Sequence, residues 1–371
     1  MRYELGSEET DGTVNDKNSR RRRTAPTIKD VANMAGVSSM TVSRVINGEA
    51  NVRPTTRDAV NTAIAALSYS PNPAARSLAG AAQVRIGLLY SNPSAAYLSE
   101  FLVGSLDQAS RSDVQLIIEK CELGDHEIEV AKHLIASGID GLILPSPLCD
   151  SHKLIKMIAD EGVPAVLVGS GRPAEELHAV SIDEYAAAYA MTRHIVSLGH
   201  HRIGFVVGNP EQTASEERLR GYRNALAKAD IPADNALIAR GLFTYRSGLD
   251  AAEKLLDVAD PPTAIFASND DMAAACVAVA HRRGLDVPGD LTVCGFDDTT
   301  LATAIWPELT TIHQPIADMS RAAVEMLVSA IRRPRARDEK LQQIVLDFTL
   351  VRRQSDAAPR RRPPSRSARP A

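Results

Sequence analysis

Charged and polar side chains follow several short apolar runs of this sequence, where they could converge on one small molecule. Asn269 comes after the run Thr263–Ala267, and Asp297 comes directly after Val293–Phe296. Arg218 stands where a loop passes into a helical pattern. Amide, carboxylate and guanidinium groups that meet at strand ends make strong hydrogen bonds to hydroxyl groups. These residue types therefore favour a site that holds the hydroxyls of a sugar ring.

An enzyme that acts on a sugar is a second interpretation of the same region. Asp270, Asp271, Asp297 and Asp298 could serve as metal ligands or as acids. The sequence contains no phosphate-binding loop and no nucleophile elbow, and its nine histidines show no catalytic or metal-binding spacing. We therefore expect no catalytic residue, no metal and no cofactor, and turnover of a bound sugar would contradict this view.

A second set of candidate residues lies in the segment Thr27–Asn47, which reads TIKDVANMAGVSSMTVSRVIN. Thr27 and Asp30 have the spacing of a capping box, Gly36 ends the first helix, and Ser38 caps a second. Two short helices joined by a glycine-containing turn are typical of a helix-turn-helix, which places its second helix in the major groove of DNA.

The second helix of this motif carries side chains suited to a duplex. Ser38, Ser39, Met40 and Thr41 lie at its N-terminus, where free N–H groups and the helix dipole favour phosphate. Arg44 lies about one turn further on and can pair bidentately with a guanine edge. The segment therefore predicts sequence-specific contact with double-stranded DNA.

The charge distribution separates a basic N-terminal part from an acidic body. Residues 20–80 carry nine Lys/Arg and three Asp/Glu, and residues 352–371 carry seven and one. Since the net charge is −4 and residues 1–19 contribute −3, the remaining residues 81–351 sum to −13. A basic segment joined to an acidic one indicates a polyanionic partner for the first alone.

From Val84 onward, strand-like runs alternate with helical stretches. The predicted strands are Val84–Tyr90, Val114–Glu119, Gly141–Leu144, Ala165–Val168, Ile203–Val207, Thr263–Ala267 and Thr292–Phe296. The predicted helices are Ser99–Ser110, Ile128–Ser137, Ala186–Leu198, Glu217–Ala229, Ser247–Asp257 and Asp271–Arg283. This alternation predicts an α/β fold of two similar lobes, each with a parallel sheet whose carboxyl strand ends face one shared cleft.

The N-terminal motif and the RPTTRDAVNTAIAALSYSPNPAARSLAG stretch after it closely resemble the start of the lactose-repressor family, the LacI/GalR regulators. The resemblance extends from about Thr27 to about Arg352. It implies a helix-turn-helix DNA-binding domain followed by a two-lobed, periplasmic-binding-protein-like core of doubly wound parallel sheets. It also implies a transcription regulator, most often a repressor, whose operator binding is controlled allosterically by a small ligand.

The resemblance implies roles for individual DNA-binding residues. Ser39, Met40 and Arg44 match base-reading positions, and a further set matches positions that hold phosphates or the turn: Ser38, Thr41, Ser43 and Asn47. Residues 71–80 match a hinge helix that forms on operator DNA. Within it Leu78 matches an apolar wedge in the minor groove, and Ala75 allows close approach to the groove floor. The resemblance also implies that two such helices, one from each protomer of a homodimer, bind a pseudo-palindromic operator.

The same resemblance extends to the ligand site. The stretches TASEERLRGY, SND and GFDD match three family motifs. The resemblance implies that Arg218, Asn269 and Asp297, one from each motif, bind the effector. Phe243 offers an apolar face to a sugar ring. Candidates from the first lobe are Ser91, Tyr97, Phe101 and Ser146. The expected effector is a mono- or disaccharide. A purine or another co-repressor is the alternative within the family, and a secreted sugar receptor is disfavoured by the absence of a signal-like apolar stretch.

The domain boundaries expected from these patterns are a basic, disordered leader, a DNA-binding domain, a hinge, an effector and dimerisation domain and a disordered basic tail: residues 1–25, 26–70, 71–80, 81–351 and 352–371. No apolar run is long enough to span a membrane, and we expect a cytoplasmic protein. The four cysteines are expected to be buried free thiols, as is usual in a reducing compartment.

Overall fold

The computed structural model of the 371-residue chain describes residues 26–46, 51–67, 69, 83–333 and 340–360. The chain divides into two compact units, with the boundary between Ala82 and Gln83. No helix of the described residues is long and apolar enough to cross a membrane.

The first unit contains three short helices: α1 (Ile28–Ala35), α2 (Ser39–Ile46) and α3 (Pro54–Leu67). The Asp30 carboxylate accepts the backbone N–H of Thr27 at 2.7 Å, and Gly36 ends α1 with a φ of +66°. These confirm the capping box and the glycine stop. The helices pack around a small aliphatic core formed by Val31, Ala32, Val42, Val45, Val60 and Ala63.

The first lobe of the second unit has a parallel sheet in the order β11-β5-β4-β3-β1-β2. Its strands are β1 (Val84–Tyr90), β2 (Val114–Lys120), β3 (Gly141–Pro145), β4 (Ala165–Val168), β5 (His178–Ile182) and β11 (Gln343–Leu346). Its helices are α4 (Ala95–Arg111), α5 (His126–Ala136), α6 (His152–Asp160) and α12 (Ile316–Arg332). The central strands β3 and β4 are buried along their whole length, because helices cover both faces of the sheet.

The second lobe has a parallel sheet in the order β7-β6-β8-β9. Its strands are β6 (Ile203–Val207), β7 (Ile238–Arg240), β8 (Ala264–Ala267) and β9 (Thr292–Cys294). Its helices are α7 (Glu184–Ser197), α8 (Thr213–Lys228), α9 (Tyr245–Leu256), α10 (Asp270–Arg282) and α11 (Thr300–Ala304). Beside the sheet, β10 (Thr311–His313) and β12 (Thr349–Val351) form an antiparallel pair.

The polypeptide passes between the lobes at three connections within residues 83–333 and 340–360. These lie between β5 and α7, between β10 and α12, and between β11 and β12. The two-lobed α/β architecture expected from the alternation is therefore confirmed. Several connections restrict relative motion to a hinge-like change of angle, since a sliding motion would have to stretch them all.

The seven predicted strands all form, and the six predicted helices form with earlier starts. Helix α8 begins at Thr213, whereas the predicted start was Glu217. The prediction began late because the first turn is largely polar and continues no apolar stripe. Four larger elements were not predicted: β5, β11, α6 and α12. Strands β5 and β11 both mix polar and apolar residues, and β11 lies at the sheet edge, where its burial is incomplete.

The expectation of a disordered tail from Arg352 is wrong for residues 352–360. Ser355 is fully buried; its backbone oxygen accepts the Val293 N–H at 2.9 Å, and its hydroxyl donates to the Val293 carbonyl at 2.5 Å. The same hydroxyl accepts the Thr310 N–H at 2.8 Å. The basic composition of this segment gave no indication that Ser355 and Asp356 attach it to the second lobe by hydrogen bonds. Residues 361–371, like the leader 1–25 and the hinge 71–80, lie outside the described residues.

Candidate ligand cleft and nucleic-acid interface

A cavity lies between the lobes at the carboxyl ends of their strands. It leaves about 30 Å³ of free volume, and the space of about 420 Å³ between its lining atoms includes open solvent. Both lobes and the connections between them line it, with Asn92, Pro93, Ser94, Tyr97, Ser146, Gly169, Glu184, Gln212, Ala214, Arg218, Phe243, Asn269, Asp297 and Gln314. This is where ligands bind in open α/β sheets, so the topology itself selects this cleft.

Six of the eight candidate ligand residues meet in this cavity: Tyr97, Ser146, Arg218, Phe243, Asn269 and Asp297. They come from six separate segments of the chain, and four of them follow the carboxyl end of a strand. The rule that polar groups gather at strand ends located Asn269 and Asp297, whereas the family resemblance supplied Tyr97 and Ser146. Their assignment as ligand contacts stays a prediction.

Ser91 and Phe101 do not line the cavity, which corrects two of the sequence expectations. Ser91 faces a separate surface depression beside Lys120, and Phe101 is fully buried in the core, stacked on Tyr97 with ring centroids 6.3 Å apart. The turn after β1 delivers Asn92 and Ser94 to the cleft instead. The Asn92 amide donates to the Ser146 carbonyl at 3.2 Å, and its oxygen accepts the Ser94 N–H at 2.8 Å.

Arg218 is the central charged group of the cleft, projecting from α8 with 5% of its surface exposed. Its Nε and one Nη donate to both oxygens of Glu184 at 2.7 and 3.2 Å. The other Nη donates to the Ser268 carbonyl and lies 4.0 Å from an Asp297 oxygen. The guanidinium also stacks on Phe296 at 3.6 Å from the ring centroid. Such a set of contacts fixes the position of the side chain before any ligand arrives.

Glu184 is a cleft residue that sequence reasoning missed. It is the first residue of α7, directly after β5, and 2% of it is exposed. Burial raises the pKa of its carboxyl, and the neighbouring Arg218 partly counters that rise. Because the sequence pattern did not predict β5, the rule of polar groups at strand ends did not point to the acidic residue that follows it.

Asp297 presents a buried carboxylate from a strained backbone position. Its φ is +106°, outside the regions that residues other than glycine prefer, and its N–H is held by the Ile312 carbonyl at 2.9 Å. Burial raises the pKa of Asp297 well above its ordinary value, and Arg218 acts in the opposite direction. The strain aims the carboxyl into the cavity, where it can accept or donate a hydrogen bond to a hydroxyl group.

Tyr97 and Phe243 provide the aromatic surface of the cavity. The phenol of Tyr97 is buried, which raises its pKa, so the group stays a neutral hydroxyl that can donate or accept a hydrogen bond. Phe243 has a φ of +59°. A Cβ at Gly208 would lie 2.0 Å from the Phe243 ring, so only glycine leaves room for that ring.

Asn269, Asp270 and Asp271 form the start of α10 and hold the surrounding loops. The Asn269 oxygen accepts the Met272 N–H at 3.0 Å, and its amide donates to the Phe243 carbonyl at 3.1 Å. Asp270 accepts from the Thr299 N–H at 2.8 Å and from the Thr311 hydroxyl at 2.7 Å. These contacts are those of helix caps and loop anchors.

Asp271 and Asp298 also have protein partners. Asp271 accepts from the Ser94 hydroxyl at 2.6 Å, whereas Asp298 pairs with Arg353 at 2.6 Å and with His313 at 3.1 Å. Within the described residues no group of three or more His, Cys, Asp or Glu side chains could hold a metal ion. Asp270, Asp271 and Asp298 therefore hold loops and lobes, whereas Asp297 lines the cavity.

Asp270 makes stability depend on pH in an unusual direction. Burial raises the pKa of Asp270 to about 7 in the folded protein, whereas the pKa of an Asp in the unfolded chain is about 4. Between these two pH values the folded protein keeps the Asp270 proton and the unfolded chain has lost it. The folded state binds more protons across this window, and its stability falls as pH rises through it, by about 1.4 kcal/mol per pH unit. Asp270→Asn does not titrate, so we expect the difference in unfolding free energy between wild type and variant to change by about 2 kcal/mol from pH 5 to pH 7.

Chemical denaturation of both proteins across that pH range measures this difference directly. Other titrating groups cancel in the comparison, since both proteins carry them. A wild type that loses no stability relative to Asp270→Asn as pH rises would show that the carboxyl is already ionised at pH 5.

Direct contacts close the two lobes on each other around the cavity. The Ser146 hydroxyl donates to the Gln212 side chain at 2.8 Å. Asp150 accepts the backbone N–H of Thr213 at 2.9 Å and its hydroxyl at 2.8 Å. Since Thr213 is the first residue of α8, a carboxylate of one lobe caps a helix of the other. The structure therefore shows a closed cleft.

The helix-turn-helix presents its polar face on the first unit. Ser38 caps α2 by accepting the Thr41 N–H at 3.1 Å, while Val42 and Val45 are buried against the other helices. Met40 is 64% exposed and Arg44 is exposed. Ser39, Thr41 and Ser43 are partly exposed. These positions share one helix, whereas Asn47, Ala75 and Leu78 lie outside the described residues.

Two family models match separate parts of the chain. The model for bacterial regulatory proteins of the lacI family matches residues 27–72, and the periplasmic binding protein-like domain matches residues 192–355. Catabolite control protein A of Priestia megaterium is 35% identical over 304 residues, which cover 81% of this chain and 91% of that protein. This chain belongs to the LacI family. The LacI-family fold and the role as a DNA-binding transcription regulator follow from this membership.

Other LacI-family relatives give the same result. The transcriptional regulator CelR of Thermobifida fusca is 36% identical over 84% of this chain and 93% of that protein. A solved CelR–cellobiose complex matches with a TM-score of 0.68 and 33% identity, over 89% of this chain and 99% of that one. The lac repressor dimer bound to operator and an anti-inducer matches with a TM-score of 0.74 and 27% identity, over 90% and 100%.

Proposed function

We propose that this LacI-family regulator is a repressor whose binding to a pseudo-palindromic operator is controlled by a mono- or disaccharide in the cleft between the lobes. The observation that carries the proposal is the cavity itself. It combines hydroxyl, amide and carboxyl groups of both lobes with the ring of Phe243. Hydroxyl-rich ligands with an apolar ring face suit such a surface.

Relatives support the choice of a sugar. CelR has been solved with cellobiose, and a LacI-family regulator of Enterococcus faecium has been solved with ribose, at a TM-score of 0.68 and 25% identity to this chain. A purine-type co-repressor is the alternative within the family, and the repressor PurR of Photobacterium profundum is 33% identical over 82% of this chain. The purines therefore belong in any ligand screen.

The proposed control works through closure of the lobes. A ligand that contacts both lobes stabilises the closed cleft relative to an open one. Because the chain crosses at several connections, closure changes the angle between rigid lobes. In a homodimer this angle sets the spacing of the two hinge segments, residues 71–80, and so the free energy of operator binding.

The test uses full-length protein and an operator selected from random duplexes. Operator affinity is measured with and without each member of a panel of mono-, disaccharides and purines, and each sugar is assayed for turnover. We expect selection to yield a palindromic site, and at least one compound of the panel to change the affinity of the protein for that site. Turnover of a bound sugar, or selection of no preferred sequence, would contradict the proposal.

Arg44 allows a sharp test of base reading. Replacing Arg44 by Ala should weaken binding to the selected operator by about 1–3 kcal/mol, roughly 5- to 150-fold, and relax the preference at one base position. Arg53→Ala is the matched control, because Arg53 is exposed outside α2 and the substitution removes the same charge. Equal losses in both variants, on operator and on random duplex alike, would assign Arg44 to phosphate contact only.

A further inference from the structure

The donors of the Arg218 guanidinium are almost fully used by the protein. Glu184 takes two of them in a bidentate pair, and the Ser268 carbonyl takes a third. The Gln314 side-chain oxygen lies 3.5 Å from Nη2, and the rings of Phe296 and Phe243 have centroids 3.6 and 5.8 Å from the guanidinium carbon. What remains free to face the cavity is an Nη1 N–H directed toward Asp297.

The charges that line the cavity therefore contain no uncompensated cation. As far as residues 83–333 and 340–360 form its wall, Arg218 is the one cationic side chain, and Glu184 and Asp297 are the acidic ones. With both carboxyls ionised the wall carries one net negative charge. If Asp297 holds a proton, as its burial favours, the wall is neutral.

An anionic ligand would meet this wall at a high cost. It would lose its hydration in a cavity that offers no free positive charge, and it would lie close to two carboxyl groups. An uncharged hydroxyl, in contrast, can donate to Asp297 and accept from the hydroxyl of Tyr97. The charge of a ligand, more than its shape, therefore determines whether it can bind in the cavity.

We propose that Glu184 determines the charge class of the ligand: by holding Arg218 in a bidentate pair, it restricts the cleft to uncharged polyols and rejects sugar acids and sugar phosphates. This inference rests on the proposed function, because it concerns the ligand of the same cleft. Glu184 acts through Arg218 and is a positioning residue. Without its negative charge, Arg218 would present a free cation to a carboxylate or phosphate.

Glu184→Gln is the variant that tests this role, with Glu217→Gln as its control. Glu217 lies on the same helix as Arg218 and is 5% exposed, but it pairs with Arg172 at 3.3 Å and with Arg220. It does not line the cavity. Both substitutions remove one buried carboxylate of the second lobe and keep the side chain's shape, and only one of them releases Arg218.

The first arm of the experiment needs no natural ligand. Thermal stability is titrated with sodium acetate at constant ionic strength, with chloride as the replacement salt. We expect Glu184→Gln to be stabilised at an acetate concentration about tenfold lower than wild type or Glu217→Gln requires. If the two variants respond alike, Glu184 does not govern access to Arg218, and the proposal is overturned.

The second arm compares glucose, galactose, ribose and cellobiose with glucuronate, galacturonate, ribose 5-phosphate and cellobionate. We expect wild type to bind uncharged members only, and Glu184→Gln to gain about tenfold or more in affinity for the matching acid. Equal binding of an acid and its parent by wild type overturns the proposal. If no sugar binds while the acetate contrast holds, the sugar-responsive function fails and the role of Glu184 stands.

Discussion

Replacing Arg218 by Met should lower the free energy of unfolding by about 3–5 kcal/mol, the usual cost of breaking a buried ion pair by removing one partner. The cost arises because Glu184, 2% exposed, would keep a carboxylate with no cation beside it. The variant should also lose its response to every ligand that wild type binds. Urea denaturation and ligand titration of the same samples measure both effects.

A double variant separates the two roles of Arg218. In Glu184→Leu/Arg218→Met the orphaned carboxylate is gone, and apolar side chains of similar volume often replace a buried pair at no net cost. We therefore expect most of the lost stability to return, while ligand binding stays absent. A single Arg218→Met variant that loses less than about 1 kcal/mol would mean that the pair is solvated in solution.

Replacing Gly221 by Ala should cost about 2–3 kcal/mol of stability, although alanine is the better helix former by roughly 0.5–1 kcal/mol. A Cβ at this position would lie 2.4 Å from the backbone oxygen of Tyr185 and 3.1 Å from the Ala188 side chain. Helix α8 would have to move away from α7, and these two helices carry Arg218 and Glu184. We therefore expect ligand affinity to fall together with stability.

Two further variants control for this effect. Arg223→Ala changes an exposed residue of α8 and should alter stability by about 0.5 kcal/mol or less. Gly221→Ala/Ala188→Gly relieves the side-chain contact but not the contact with the Tyr185 backbone, so it should recover little. Full recovery in the double variant would show that the backbones of α7 and α8 can separate without consequence. Chemical denaturation of wild type and the three variants under one condition measures these differences in the free energy of unfolding.

The fold was largely predictable because buried strands and amphipathic helices leave strong patterns. Strand β4 reads AVLV and is buried throughout, so its apolar run is continuous. Strand β11 reads QIVL at the sheet edge, with alternating exposure, and gives no such run. Residues 352–357 are held by hydrogen bonds of Ser355 and Asp356 rather than by apolar packing, which hydrophobic periodicity does not detect.

The site was predictable where a strand end was predictable. Asn269 and Asp297 follow β8 and the region of β9, and both line the cavity. Glu184 was missed together with β5, and Gln212 was missed because it precedes a helix rather than following a strand. The expectation that Ser91 lines the cleft was wrong, because hydrogen bonds of Asn92 set the direction of the turn after β1. A rule based on residue spacing contains no information about these bonds.

The position of Ser355 constrains how this protein can be made in the cell. A ribosome delivers residues in order, and domains usually fold as they emerge. Here the first lobe lacks β11 until residue 346 is synthesised, and the second lobe lacks the hydrogen bonds of Ser355 to Val293 and Thr310 until that residue follows. Both lobes therefore stay incomplete through most of translation. Chaperones that shield nascent chains should matter more for this core than for the N-terminal unit, whose described helices end at Leu67.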